Sequence, residues 1–252
     1  MSFKAHFFVL ILLQQALAML LSTCYFSDMR IITLLFGFSF ILFFNVNAQS
    51  PQGWLIYFGN TQIKDSKFSI HHELQLRDYK LLGDHNQTLI RVGGQYQFKP
   101  WLQSTLGYGF IHTELEGAPN RPFAEHRIYQ EGIFSHTVKN SKWRHRVRLE
   151  ERFIENQDFR GRLRYCMFID IPLNAAQFDK NGVYLSLYDE VFLNISDQPT
   201  LDTFDRNRAY AGLGYKVRQN IGLQLGYMRQ HVGKSAGTNH ILLSFHHKMN
   251  WN

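Results

Sequence analysis

Polar and apolar residues alternate one by one along most of this chain. The sharpest case is 142–154, where Arg144, Arg146, Arg148, Glu150 and Arg152 alternate with Trp143, His145, Val147, Leu149 and Phe153. In 159–171, Arg160, Arg162 and Arg164 alternate with Phe159, Leu163 and Tyr165, ahead of Met167, Ile169 and Ile171. A period of two gives a strand one charged face and one apolar face. Elsewhere, Phe68, Ile70, Leu74 and Leu76 oppose Ser69, His71, Glu73, Gln75 and Arg77. Val183, Leu185, Leu187, Val191 and Leu193 oppose Tyr184, Ser186, Tyr188, Glu190 and Asn194. Ile221, Leu223, Leu225 and Tyr227 oppose Gly222, Gln224, Gly226 and Met228.

Eleven segments read as strands: 54–63, 68–79, 88–98, 101–113, 124–136, 142–154, 159–171, 183–195, 205–217, 221–232 and 239–251. They run to about 10–14 residues, the length of a tilted membrane strand. Strands of soluble proteins are usually about 5–6 residues long. The connections alternate as well. Tight polar turns at 99–100, 139–141 and 218–220 contrast with longer loops at 115–122 and 196–204. Bacterial barrels pair short periplasmic turns with longer outside loops, which puts 99–100 in the periplasm and 115–122 outside. The segment 174–182 breaks this rule, being long where a short turn is expected. The predicted fold is all-β: a closed antiparallel transmembrane β-barrel of 10–12 strands. Bacterial barrels have even strand numbers, so a count of eleven implies a miscounted segment or an end strand outside the wall.

The first 48 residues differ in character. Apolar runs span 7–21 and 31–44, and the second has the form of a signal peptide: Met29-Arg30, an apolar core, then Val46-Asn47-Ala48 before Gln49. Small residues at −3 and −1 suit cleavage after Ala48. The expected organisation is a leader over 1–48, with Met29 as the true start, and an outer-membrane barrel over 49–252. Two other readings of the leader are one long, unusual signal and a lipoprotein signal ending at Cys24. Beyond residue 48 no run nears the roughly 18–20 apolar residues of a spanning helix. Cys24 lies in the leader, so Cys166 has no intramolecular disulfide partner in the processed chain.

Composition supports strands: 22 Phe and 12 Tyr against 6 Pro among 252 residues. Mean hydropathy is −0.25, so the apolar residues are interspersed and not massed. The formal charge is +7, and loss of Lys4, Arg30 and Asp28 with the leader leaves +6. With the basic excess on strands behind a secretion signal, nucleic acid is not expected as a partner. The expected contacts are outer-membrane lipid and lipopolysaccharide, the outer-membrane assembly machinery and a small anionic solute. The terminal strand ends Met249-Asn250-Trp251-Asn252, with an aromatic one residue from the end, much like the signal read by that machinery.

Five stretches carry a resemblance: EHRIYQE at 125–131, RVRLEERF at 146–153, YLSLYDEVFLN at 184–194, FDRNRAYAGLGY at 204–215 and LQLGYMRQH at 223–231, together with GWLIYFG at 53–59. In order and spacing the chain resembles an uncharacterised outer-membrane barrel family, catalogued as domain of unknown function number two-four-nine-zero. The resemblance implies a barrel fold and an outer-membrane address. It implies no activity.

Alternation puts Arg77, Arg91, Arg127, Arg144, Arg146, Arg148, Arg152, Arg160, Arg162, Arg164, Arg206 and Arg208 in the lumen. Glu73, Glu125, Glu131, Glu150 and Glu190 share that face. Two readings stay open. One is a salt-bridged network filling a narrow, plugged structural or assembly barrel. The other is a porin-like, anion-preferring channel, or a binder of a small phosphorylated or carboxylated solute. A third class, an enzyme acting on lipid or lipopolysaccharide, draws on Ser186, Ser244 and His246. Positions i and i+2 of a strand are about 7 Å apart, so Ser244 and His246 would not touch. The enzyme is therefore the least favoured of the three readings.

His71, His126, His136, His145, His231, His240 and His246 are scattered, without HxxxH or CxxC spacing. No metal site is expected, and rim or solvent positions are the default. No cofactor motif of the GxxxxGK type occurs. Gly107, Gly109, Gly212, Gly214, Gly222 and Gly226 fall on the inner face, easing packing or widening a passage. Trp54, Tyr96, Trp101, Phe110, Tyr129, Trp143, Tyr215 and Trp251 read as an interfacial girdle. Asp189 falls on the apolar face, which predicts a rim position or a bulge.

Overall fold

The computed structural model describes residues 50–81, 83–196, 201–235 and 237–251. The expected leader over 1–48 and residues 197–200 of the 196–204 loop lie outside them. Eleven strands close into one barrel: β1 (Gln52–Ile63), β2 (Phe68–Lys80), β3 (Gly83–Lys99), β4 (Leu102–Thr113), β5 (Phe123–Val138), β6 (Ser141–Ile154), β7 (Arg160–Pro172), β8 (Val183–Asn194), β9 (Phe204–Arg218), β10 (Ile221–Val232) and β11 (Thr238–Trp251). No helix among the described residues is long and apolar enough to cross a membrane, which says nothing against crossing by strands.

The expectation that an odd count meant a miscounted or stray strand is overturned. All eleven segments join the wall. Each pairs antiparallel with its neighbours in sequence, and β1 closes on β11 in parallel, from Gln52↔His240 to Ile63↔Trp251. The geometry leaves no alternative: an odd number of hairpin-connected strands makes the first and last run the same way. The closed wall is therefore antiparallel except at this seam. Closure removes the unpaired edge that lipid would not tolerate.

Period-two patterning fixes the register, since a one-residue slip would turn every arginine outward. On the outer face an apolar row crosses seven consecutive strands: Leu76, Leu55, Leu243, Leu225, Leu213, Leu185 and Ile171 stand opposite one another in turn. The predicted boundaries hold within two residues except at β3, which starts at Gly83. Its Asp84-His85-Asn86-Gln87 start has no apolar alternation to read, yet it pairs with the end of β2 across a bulge at Arg77/Asp78. The hairpin thus extends past the apolar belt.

Connections at 114–122, 155–159, 195–196, 201–203, 233–235 and 237 lie at the end where β1 starts. Turns 64–67, 100–101, 139–140 and 219–220 lie at the other. Segment 173–182, the exception to the short-turn rule, also lies at the turn end. Its Phe178 rests on Tyr184, with ring centroids 5.6 Å apart, and under the Lys142 ammonium at 4.0 Å. Its length brings an aromatic ring back to inward-facing side chains.

Inside, aromatics sit on glycines. A Cβ on Gly107 would run into the Tyr129 ring, and one on Gly93 would meet its hydroxyl at 2.6 Å. Tyr210 covers Gly212 and Gly226 in the same way, and Tyr184 covers Gly214. Of the two sequence readings for inner-face glycines, packing holds at these positions. Tyr129 and Trp54 correspondingly leave the expected girdle: both are buried and face the lumen. Parity decides this, since each shares a face with inward residues such as Arg127 and Ile56. Trp101, Tyr215 and Trp251 are exposed, in keeping with a girdle. The seating gives a test. Gly107→Ala should destabilise the barrel by about 1–3 kcal/mol, because the seated ring must shift. Gly94→Ala, which meets nothing within 4 Å, should leave stability unchanged. Urea unfolding followed by gel mobility would read both.

Candidate functional site

Ten of the twelve predicted lumen arginines line one cavity, Arg144 pairs with Asp170, and all five predicted lumen glutamates pair with arginines. The structure brings most of them into one network. Glu150, fully buried, is its hub: Arg162 donates to it from Nη2 at 2.5 Å and from Nε at 2.9 Å, and Arg164 donates at 2.6 Å. Arg127 and Arg148 stand at 3.6 and 3.8 Å from the same carboxylate. A circuit of ion pairs runs on from Arg164 to Glu190 (2.6 Å), to Arg146 (2.6 Å), to Glu131 (3.6 Å), to Arg148 (2.5 Å) and back to Glu150. Glu125 takes Arg127 and Arg152, both at 2.7 Å, and Glu73 takes Arg91 at 2.6 Å and His71 at 3.1 Å. Cross-strand register makes these contacts, since Glu150↔Arg162, Glu131↔Arg148 and Glu73↔Arg91 are direct neighbours.

Two carboxylates were missed from sequence. Asp170 accepts from Arg144 (3.0 Å) and from the Ser186 hydroxyl (2.7 Å). Its parity with Arg160, Arg162 and Arg164 could have found it. Asp205 has the wrong parity, so alternation could not. The register skips it, pairing Phe192 with Arg206 and Leu193 with Phe204. This bulge re-aims Asp205 toward Arg162 (3.1 Å) and Arg206 (3.0 Å).

Arginines still exceed carboxylates, and inward aromatics take up part of the excess. Over the Phe192 ring lie the guanidiniums of Arg164 (4.3 Å), Arg208 (4.8 Å) and Arg162 (5.2 Å). Phe168 receives Arg144 and Arg146 at 4.8 and 5.0 Å, and Tyr129 receives Arg148 at 4.7 Å. Guanidinium planes stack on such faces, which offer negative potential without a charge. Nearer the turn end, Lys142, Arg144 and Lys216 lie within electrostatic reach of Asp170, and Lys248 within reach of the two lysines.

Between this network and the loop end lies a cavity of about 510 Å³, lined by ten arginines and three glutamates. It reaches from Gln52, Asn86 and Ser235 at the loop end down to Cys166 and Tyr188. Its volume lies within the roughly 300–1,000 Å³ of small-molecule sites. Of the ten lining arginines, Arg77 has no carboxylate within ion-pair distance among the described residues. It donates instead to Gln75 and to Gln87 (2.7 Å). Arg208 reaches Glu190 only at 3.9 Å. Arg160, outside the cavity, also has no ion pair among the described residues.

Other sequence candidates separate. Ser186 is engaged by Asp170, and His246 stacks on Phe58 at 5.0 Å with no hydrogen bond to Ser244. His240 departs from the expected rim position: it is 1% exposed and lines the cavity. Its even parity puts it beside Trp54. His145 donates to or accepts from Tyr165 on the outer face (2.8 Å). Among the described residues no three His, Cys, Asp or Glu side chains gather as a metal site would need. Cys166 is a free, buried thiol. Asp189 lies mid-strand, neither at a rim nor at a bulge, the register shift falling at Phe192/Leu193. It accepts from Asn207 of the adjoining strand at 2.9 Å, so a polar neighbour takes the place of the expected irregularity.

Fold and site together define a closed β-barrel with a salt-bridged arginine–glutamate lumen and a cationic cavity. The chain belongs to the family described as protein of unknown function (DUF2490), whose model matches residues 51–240. No curated protein matches the chain.

The hub predicts an asymmetry between charges. Glu150→Ala strands several buried guanidiniums and should lower unfolding stability by about 3–5 kcal/mol. Arg77→Gln strands no carboxylate and should change it by less than about 1 kcal/mol. Denaturant titration of the two variants beside the parent checks this.

Proposed function

We propose that the protein is an integral outer-membrane β-barrel that binds a small anion in its lumen from the outer mouth, and that it is a binder, not an open diffusion channel. The observation that carries the reading is the cavity, with ten arginines against three glutamates on its wall. A narrow recess in which one sign predominates concentrates anions, and guanidinium forks fit carboxylate and phosphate oxygens. The wall argues for the membrane: exposed leucines ring its outer face, and strands of 12–17 residues exceed what a soluble sandwich uses. The leader read at 1–48 supplies the route. Binding is favoured over passage because Tyr129, Tyr184 and Tyr210 are seated on glycines of the inner wall, where their rings take up lumen space.

A second reading, a structural or assembly barrel with a neutralised lumen, draws on the Glu150 hub. One set of measurements separates the readings. The purified protein should fractionate with the outer membrane and shift on gels when heated. In planar bilayers it should give no discrete conductance steps, while calorimetry with phosphate should show binding that weakens with salt. Anion-selective steps would make it a channel. Absence of both steps and binding would leave the structural barrel.

A further inference from the structure

The under-neutralised arginines are not spread evenly. On β5, β6 and β7 every arginine but Arg160 has a carboxylate within 3.0 Å. Across the lumen, Arg77 and Arg208 do not, and they converge on one ring. The Arg77 guanidinium carbon lies 3.9 Å from the centre of Trp54, and that of Arg208 lies 5.0 Å from it. Their remaining near partners are neutral amides: Gln75 and Gln87 for Arg77, and Gln230 for Arg208 at 2.8 Å. His240 stands edge-on to the same ring, with centroids 5.1 Å apart. Its Nε2 is engaged by Thr238 at 2.8 Å, and its Nδ1 is buried without a hydrogen-bond partner.

Two cations brought to one ring without a close counterion repel each other, and a buried ring nitrogen without a partner is unfavourable. A single anion between them would relieve both. The adjoining surface is of another kind. Ile56 and Phe58 follow Trp54 on the inward face of β1, and Val232 of β10 also lines the cavity. Ile56 and Trp54 belong to the buried apolar cluster with Tyr210, Met228 and Leu242. The cavity therefore has a cationic side and an apolar side meeting at Trp54.

We propose that Arg77, Arg208 and His240 form the anion subsite of this cavity, and that its ligand is an amphiphile: a phosphate or carboxylate bearing an alkyl chain. The head sits between the two guanidiniums, and the chain lies along Ile56 and Phe58. This deepens the anion-binding reading above and rests on it.

The test uses the full chain purified in a neutral detergent, with Trp101, Trp143 and Trp251 changed to Phe so that Trp54 alone fluoresces. Inorganic phosphate, hexyl phosphate and a lysophosphatidate are titrated. Hexyl phosphate should perturb Trp54 and bind about tenfold or more tightly than inorganic phosphate. Arg77→Gln and Arg208→Gln should each weaken it about tenfold. Should either fail to give a heat-modifiable barrel, Arg77→Lys and His240→Gln probe the same subsite, and each should weaken binding. Tighter binding of lysophosphatidate than of hexyl phosphate identifies a lipid source, and weaker binding a soluble one. Equal affinity for inorganic and hexyl phosphate overturns the amphiphile while leaving anion binding intact. Binding that survives all four variants overturns the subsite. No binding of any probe overturns the anion reading itself.

Discussion

Buried charge compensation is the constraint on which this barrel depends. Eleven strands enclose a lumen only slightly wider than side chains can fill, so its residues are largely cut off from bulk water. An arginine left there without a partner is costly, and twelve are present. The solution is shared, with most carboxylates serving more than one cation. Glu150 lies within ion-pair distance of Arg127, Arg148, Arg162 and Arg164, and Glu190 bridges Arg146 and Arg164. Where carboxylates run short, aromatic faces substitute, with Phe192 beneath several guanidiniums. Such a network ties β5 through β9 into one body and holds the side chains in single orientations.

Closure adds a second constraint. The parallel seam between β1 and β11 brings Trp54 and Ile56 beside His240 and Leu242, next to Tyr210 and Met228 of β9 and β10. This sector of the lumen is apolar, while the sector of β5–β7 is ionic. The lumen is thus divided along its length, and the cavity at the loop end touches both halves. Its volume comes from the same economy. Tyrosines seated on glycines pack the wall closely, and the arginines around the cavity cannot collapse together because they share a sign.

That division bears on function more than the charge count does. A neutral network carries no ligand preference, and most of the lumen arginines are spent in one. What remains is local: Arg77 and Arg208 flank Trp54 with amide partners, beside a histidine whose Nδ1 has none. Discrimination in a recess of this kind comes from which buried polar groups a ligand leaves satisfied. Family membership sets the fold of the chain and leaves the ligand to be argued from this geometry.

The sequence by itself determined the strands, their faces and the barrel. Strict period-two alternation is a local property, so the inward arginines and glutamates were legible residue by residue. So was the family, from motifs spread over the chain. Tertiary structure decided what depends on strands far apart in sequence. The parallel seam follows from how eleven strands close, which no segment announces. Asp205 turns inward through a bulge that alternation hides. Trp54 and Tyr129 were read as girdle residues because the aromatic type outweighed their parity. Asp189 finds Asn207 only because β8 and β9 pair in one register. Which arginines are neutralised and which are not depends on cross-strand neighbours and on aromatic faces from opposite walls. A chain records which way each side chain points; only the closed barrel decides what it meets there.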